Sequence, residues 1–135
     1  MITDGTGIPL AVSVTGGDRH DSTQLIPLVD ALPKVRGKRG RPRQRPRWLY
    51  GDRAYDSDHH RKTLPDKGIT PRIARKNTDH GSGLGKTRWV VERTFAWLHQ
   101  HKRLRTRYEL RADIHLGLLQ LACVLICYRH LTRSL

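Results

Sequence analysis

Two acidic residues stand in positions where a carboxylate could do chemistry. Asp52 follows the short apolar stretch Trp48–Gly51, so it is expected at the carboxyl end of a strand, where open α/β sheets place their sites. Glu92 lies mid-helix between Val91 and Arg93. Carboxylates that converge from a strand end and a helix suit a pair of divalent metals bound along a phosphodiester. Each acid also has a simpler interpretation, since Asp52 could cap a turn or a helix and Glu92 could pair with Arg88, one helical turn earlier.

The surroundings of these acids are strongly basic. The chain of 135 residues has 26 Lys and Arg against 12 Asp and Glu, a formal net charge of +14. Such a charge favours a polyanionic partner, and nucleic acid is the first candidate because each neutralised phosphate releases counterions. An anionic membrane surface is the weaker alternative, because no basic amphipathic helix flanks an apolar anchor. The start of the chain lacks the features of a signal peptide, which indicates a cytoplasmic protein.

The basic residues are densest in a loop at residues 34–47, where eight of fourteen are Lys or Arg. Its two Gly and two Pro residues argue against a packed element. Part of the loop resembles an AT-hook, whose arginines enter a narrow minor groove, through Lys38, Arg39, Arg41 and Arg43. The rival interpretation is a solvated loop that raises nonspecific affinity. A non-catalytic DNA-binding module and an RNA-associated protein are therefore the alternatives to an enzyme.

The elements that must position the acids form an α/β pattern. Asp4-Gly5 and Gly7 predict a turn before a strand at residues 10–15, and Asp21 or Ser22 can cap a helix that runs to Pro33. The stretch WLYGD is predicted as a central strand. A short exposed helix then ends near Gly68, and ITPRIAR follows as an edge strand that tolerates its proline.

Two further helices complete the prediction. The first spans about residues 87–103, with Val91, Phe95 and Leu98 as the buried stripe; the opposite face carries Arg88, Glu92, His99 and Arg103. The second spans about residues 112–128 and is expected to be buried, because it is apolar almost all round. Its apolar block, residues 116–128, is shorter than the roughly 20 residues that cross a bilayer, so no membrane association is expected.

Three stretches, in this order and spacing, carry a family resemblance: VTGGDRHDSTQL, RPRWLYGDRAYDSD and RWVVERTFAWLHQHKRLRTRYE. Together they resemble the carboxyl-terminal half of an insertion-sequence DDE transposase, in the group called insertion sequence five. A D-x-x-Y-D motif, a V-E-R helix and a trailing R-Y-E are a specific combination. The resemblance covers most of residues 1–135, as one partial catalytic domain.

The resemblance implies an RNase H-like fold, with a mixed sheet and flanking helices, and two-metal cleavage and joining of DNA with Mg²⁺ or Mn²⁺. Asp52 matches the second catalytic aspartate and Glu92 the catalytic glutamate, both as metal ligands. Arg88 matches the arginine of the Y-x2-R-x3-E-x6-K signature, while Gly85 and His99 occupy its tyrosine and lysine positions. Tyr55 is a supporting residue for packing or for a phosphate. We expect DNA contacts from Arg88, His99 and Arg103, together with Lys38, Arg39, Arg41 and Arg43 of the loop.

The first catalytic aspartate of the family lies upstream of the G-x-P-L hairpin, and the chain begins only a few residues before that hairpin. Asp4, Asp18 and Asp21 are not expected to replace it. The resemblance thus predicts an amino-terminally truncated domain, inactive alone: a gene remnant, or one frame of an element whose upstream frame supplies the missing part. The expected partners are transposon ends and target DNA, an upstream-encoded transposase portion and further copies of the chain, on the bacterial nucleoid within the cytoplasm.

Overall fold

The computed structural model describes residues 1–36, 40–77 and 85–134, and for residues 85–88 it describes the backbone. The chain divides into two compact units. One comprises Met1–Gly16 together with Thr87–Leu135, and the other is Gly17–Lys86. Both contain helices and a small sheet, which confirms the predicted α/β class.

The unit at Gly17–Lys86 is built on a parallel strand pair. Strand β3, Trp48–Gly51, pairs with β4, Thr70–Ile73, and helix α2, Asp58–Asp66, connects them. Ser57 caps α2 through its hydroxyl, which accepts a hydrogen bond from the backbone N–H of His60. In the described part of the chain β4 is the one sheet partner of β3, so the prediction of a central strand was wrong.

Helix α1, Leu25–Asp30, lines the same unit after a 3-10 turn at Asp21–Gln24. Its predicted apolar spacing is confirmed, because the four expected side chains are buried: Leu25, Leu28, Val29 and Leu32. The predicted cap was wrong. The cap of the 3-10 turn is His20, whose Nδ1 accepts a hydrogen bond from the backbone N–H of Ser22.

The other unit opens with the predicted hairpin, formed by β1, Ile2–Thr3, and β2, Pro9–Ala11. Strand β2 ends earlier than the predicted residue 15. Asp4 holds the turn, since its Oδ1 accepts hydrogen bonds from the backbone N–H groups of Thr6 and Ile8, at 2.8 and 2.9 Å. As expected, Asp4 therefore has a structural role in the turn.

The helix that carries Glu92 differs from its prediction in length and in register. Helix α3 spans Gly85–Leu98, and residues 102–105 form a separate short helix, α4, Lys102–Arg105. The buried stripe of α3 runs through Val90, Thr94 and Leu98, whereas Val91 and Phe95 are exposed. The predicted stripe was therefore right for Leu98 and wrong for Val91 and Phe95, because Thr94 is polar in sequence but occupies a fully buried position. Its hydroxyl donates to the carbonyl of Gly7 at 2.6 Å, which offsets the cost of burying it.

Helix α5, Ala112–Arg133, is longer than predicted and was wrongly expected to be buried all round. One side packs into a core formed by Leu98, Ala122, Cys123 and Ile126. The opposite side exposes large apolar residues: Ile114, Leu121, Val124, Leu125, Tyr128 and Leu131. At 22 residues, α5 is long and apolar enough to cross a membrane by length and composition alone, with 17% of its most apolar window buried. A search confined to the described residues finds this one helix.

Candidate functional site

Asp52 lies where the sequence predicts, directly after β3 at the carboxyl end of the parallel pair. It is exposed, and it also caps the 3-10 turn Arg53–Tyr55, because its Oδ1 accepts a hydrogen bond from the backbone N–H of Ala54 at 2.9 Å. The two interpretations of Asp52 are thus compatible. Capping fixes the direction of a carboxylate that stands at the strand end.

Tyr55 closes that turn and packs against the end of β3. A Cβ added to Gly51 would lie 3.6 Å from the Cβ of Tyr55, so the aromatic residue fits against bare backbone. Burial raises the pKa of the Tyr55 phenol above its ordinary value, and the negative charges of Asp21 and Asp52 raise it further. Tyr55 therefore stays protonated at neutral pH, with its hydroxyl available as a hydrogen-bond donor.

Asp56, the last residue of the D-x-x-Y-D motif, ties three segments together. Its Oδ1 pairs with Arg61 Nε of α2 at 2.7 Å, and its Oδ2 accepts from the backbone N–H of Lys76 at 2.8 Å. Arg61 continues the link by donating to the carbonyl of Ile73, in β4, at 3.1 Å. The Lys76 N–H, followed by Arg61, lowers the pKa of the Asp56 carboxyl. The motif thus fixes the turn that carries Asp52.

The contacts of Asp56 with Arg61 and with the backbone of Lys76 are named here the Asp56 clamp. Beside this clamp lies a shallow polar cleft, lined by Asp56, Ser57, Asp58, Arg61, Arg75 and Lys76. Its lining mixes both signs of charge, and Asp52 is not part of it. The cleft therefore belongs to the contacts around Asp56 and is separate from the carboxylate of Asp52.

Glu92 is exposed on α3 and belongs to the unit formed by both ends of the chain, whereas Asp52 belongs to the other unit. The side chain of Arg88, its predicted helical partner, lies outside the described residues. Within the described part of the chain, no group of three or more His, Cys, Asp or Glu side chains could hold a metal ion. Whether Asp52 and Glu92 share a metal stays a prediction.

The predicted DNA contacts fall on three segments. Arg41 and Arg43 are exposed in the basic loop. Two backbone hydrogen bonds cross this loop, from the N–H of Val35 to the carbonyl of Arg43 at 2.8 Å and from the N–H of Arg43 to the carbonyl of Val35 at 2.9 Å. Lys38 and Arg39 lie outside the described residues. The loop prediction is confirmed for the residues described, with this one bridge in addition.

His99 and Arg103 do not share a helix face as predicted, because α3 ends at Leu98 and Arg103 belongs to α4. His99 is exposed, and its ring lies 6.4 Å from that of Phe95. Arg103 pairs with Glu109 at 2.9 Å. The trailing R-Y-E therefore contains a residue, Glu109, that sequence reasoning assigned to the family pattern but to no role.

Comparison with known proteins places these features in a family. The family model for the transposase DDE domain matches residues 1–127. The chain is 58% identical over 134 residues to a protein of Burkholderia cepacia named as a transposase for insertion sequence element IS402, a match that covers 99% of this chain and 64% of that protein. It is 30% identical over 108 residues to the transposase for IS1106 of Neisseria meningitidis serogroup B, covering 73% of this chain and 34% of the relative.

A third relative, named as a transposase for IS6501 of Brucella ovis, is 26% identical over 134 residues, with 95% of both chains covered. The chain thus spans less than two-thirds of the first two relatives and nearly all of the third. No solved structure gives a significant match. The match over residues 1–127 confirms the resemblance seen in the three motifs: the chain belongs to the insertion-sequence transposases with a DDE domain.

Proposed function

We propose that this chain acts in DNA transposition, as part of a transposase that cleaves DNA strands and transfers them with the aid of Mg²⁺ or Mn²⁺. Family membership supports the reaction class. The observation that carries the proposal is the position of Asp52, exposed at the carboxyl end of β3 and held by its own turn. In this proposal the two small sheets and their helices are parts of an RNase H-like fold of the insertion sequence five group.

The proposed metal ligands are Asp52 and Glu92. Both are exposed carboxylates, and carboxylate oxygens are the ligands that hard divalent cations prefer, so the donor set fits. A bound metal lowers the pKa of an attacking water or 3′-hydroxyl and offsets charge on the leaving oxygen. The residues of the chain do the rest: Asp56 and Tyr55 hold the Asp52 turn, and α3 presents Glu92.

These two acids are two of the three that a DDE site uses. Because such residues act as a unit, we expect the loss of either acid to slow strand cleavage by orders of magnitude. The proposed partners are transposon ends and target DNA, with an upstream-encoded transposase portion and further copies of the chain. The proposed location is the bacterial cytoplasm at the nucleoid. We propose no membrane association, since α5 contributes Ala122, Cys123 and Ile126 to a core.

The experiment compares DNA binding with and without Mn²⁺ by fluorescence anisotropy on a short duplex. We expect Mn²⁺ to tighten binding by the wild-type chain several-fold, and Asp52→Asn or Glu92→Gln to abolish that gain. Asp66→Asn, which removes an exposed carboxylate at the end of α2, is the matched control and should keep it. Equal affinity with and without Mn²⁺ in every variant would instead identify a non-catalytic basic module.

A further inference from the structure

A second basic segment follows α3, outside the loop at residues 34–47. Residues 102–109 comprise α4 and the extended stretch after it, and are named here the arginine segment. It has four cations and one carboxylate, and its cations are exposed: Lys102, Arg103, Arg105 and Arg107. Two of these four cations, Arg105 and Arg107, lie beyond residue 103, where the basic helix face was predicted to end.

Two inward side chains hold the arginine segment in place. Leu104 packs against the core that α5 shares with Leu98. Glu109 has a side chain that is 6% exposed, although it is charged. Burying a carboxylate costs free energy unless the carboxylate is paired. The partners of Glu109 therefore indicate the role that an apolar residue at this position would not fill.

Glu109 makes that pairing within the segment itself. Its Oε1 accepts from Arg103 Nη1 at 2.9 Å, and its backbone carbonyl accepts from Arg107 Nε at 3.1 Å. Its Oε2 is buried 4.0 Å from Nδ1 of His115, and in the described part of the chain neither atom has a hydrogen-bond partner. The carboxylate of Glu109 thus orients Arg103, and the backbone carbonyl of the same residue orients Arg107.

The other two cations of the segment, Lys102 and Arg105, are accessible to a binding partner. Lys102 and Arg105 make no side-chain hydrogen bond or ion pair among the described residues, and Tyr108 beside them is exposed. The neighbouring Arg111 differs, since it forms two hydrogen bonds with the carboxylate of Asp113. The two oriented guanidinium groups of Arg103 and Arg107, next to Lys102, Arg105 and an exposed phenol, suit the phosphates of a nucleic-acid backbone.

We propose that the arginine segment is a surface that binds the phosphates of the DNA backbone, and that the carboxylate of Glu109 positions Arg103 within it. The proposal rests on the proposed function, because membership of a transposase family makes double-stranded DNA the expected polyanion. Arg103, Arg105 and Arg107 contact phosphates, and Glu109 contacts none. The arginine segment thereby places a phosphate-binding surface in the same unit as Glu92.

The first test measures how DNA affinity depends on salt for Arg105→Ala/Arg107→Ala. Each lost phosphate contact should reduce the slope of log affinity against log salt by about 0.9, so the pair should reduce it by nearly two. Arg129→Ala/Arg133→Ala removes the same charge from exposed arginines of α5 and should change the slope little. If both pairs reduce the slope equally, the charge acts globally and the segment is not a specific grip.

The second test uses Glu109→Gln, which keeps the side-chain volume and removes the charge. Simple electrostatics predicts tighter DNA binding when an acid is removed, whereas a positioning role predicts weaker binding and a lower slope. A rise in affinity would overturn the positioning role. Thermal melts by circular dichroism verify that each variant is folded.

The same assays separate the two proposals. Failure of the wild-type chain to bind duplex DNA would refute the proposed function. Wild-type binding with an unchanged slope in the arginine pair would refute the arginine segment alone. A matched RNA duplex is included, and a larger effect of the arginine pair on RNA than on DNA would reassign the partner.

Discussion

Gly7 is a small residue whose backbone links the amino-terminal hairpin to the helix that carries Glu92. Its φ of +89° lies in the left-handed region, which glycine adopts freely and other residues adopt at a cost. An added Cβ would lie 3.1 Å from Thr94 Oγ1 and 3.2 Å from the carbonyl oxygen of Val90. Gly7 thereby lets the hairpin approach α3 closely enough for its carbonyl to accept the buried Thr94 hydroxyl.

Gly7→Ala should lower the free energy of unfolding by about 1–3 kcal/mol, because it combines backbone strain with a close contact. Gly5→Ala, two residues earlier in the same turn, meets nothing within 4 Å and should cost less than about 0.5 kcal/mol. Urea unfolding followed by circular dichroism compares the two. Equal costs would mean that the hairpin does not pack closely on α3.

Asp56 makes the Asp52 turn sensitive to acid. Its pKa is lowered in the folded chain by the backbone N–H of Lys76 and by Arg61, so the folded state favours the ionised carboxylate. The stabilisation is fully present above the ordinary carboxyl pKa of 3.8 and is lost as the pH falls through the lower folded value. At neutral pH the clamp is complete.

Asp56→Asn should therefore reduce stability by a constant amount between pH 5 and pH 8, and this difference should shrink at pH 3 as the wild-type clamp loses its charge. Urea unfolding at pH 7 and at pH 3 measures it. Asp66→Asn, the exposed control, should have little effect at either pH. A difference that grows at low pH would contradict the clamp.

At the scale of elements, α3 shows where a sequence pattern is ambiguous. Two apolar stripes of helical period run along it, and the sequence favoured the one through Val91 and Phe95. The buried stripe contains Thr94, which periodicity counts as polar. Its partner, the Gly7 carbonyl, is 87 residues away in the chain, so no local pattern could identify the stripe.

Adjacent valines test this register with the same chemical change. Val90 is 8% exposed and Val91 is 40% exposed. Val90→Ala should cost roughly 2 kcal/mol through lost burial and a cavity, and Val91→Ala should cost well under 1 kcal/mol. Unfolding in urea gives both values, and the reverse order would restore the predicted stripe.

For the whole molecule, local signals predicted more than long-range ones. The turn residues around Asp4 predicted the hairpin, the spacing of Leu25, Leu28 and Val29 predicted α1, and WLYG before Asp52 predicted the strand end. Features that depend on distant contacts were missed. The pairing of β3 with β4 in a two-stranded sheet, the buried Glu109 and the exposed side of α5 are of this kind.

The candidate site divides in the same way. Residue types and spacing predicted Asp52, Glu92 and Tyr55 as site residues through their motifs. The structure adds reasons for the spacing of the first motif: Asp52 caps a turn, Tyr55 packs against Gly51 and Asp56 pairs with Arg61. Sequence stopped short of the role of Glu109, because a lone acid among arginines looks like a surface ion pair. Its burial is a property of the packed core, not of the local sequence.

The exposed apolar side of α5 has a consequence for handling the protein in solution. At low ionic strength the net charge of +14 repels other copies and opposes precipitation. Raising the salt from about 0.1 M to 1 M shortens the screening length from roughly 10 Å to 3 Å. The repulsion between copies is then weaker, and they can associate through exposed apolar surface such as that around Leu121 and Val124. We therefore expect the salt that removes bound nucleic acid during purification also to lower the solubility of the protein, so that a suitable buffer has an intermediate ionic strength.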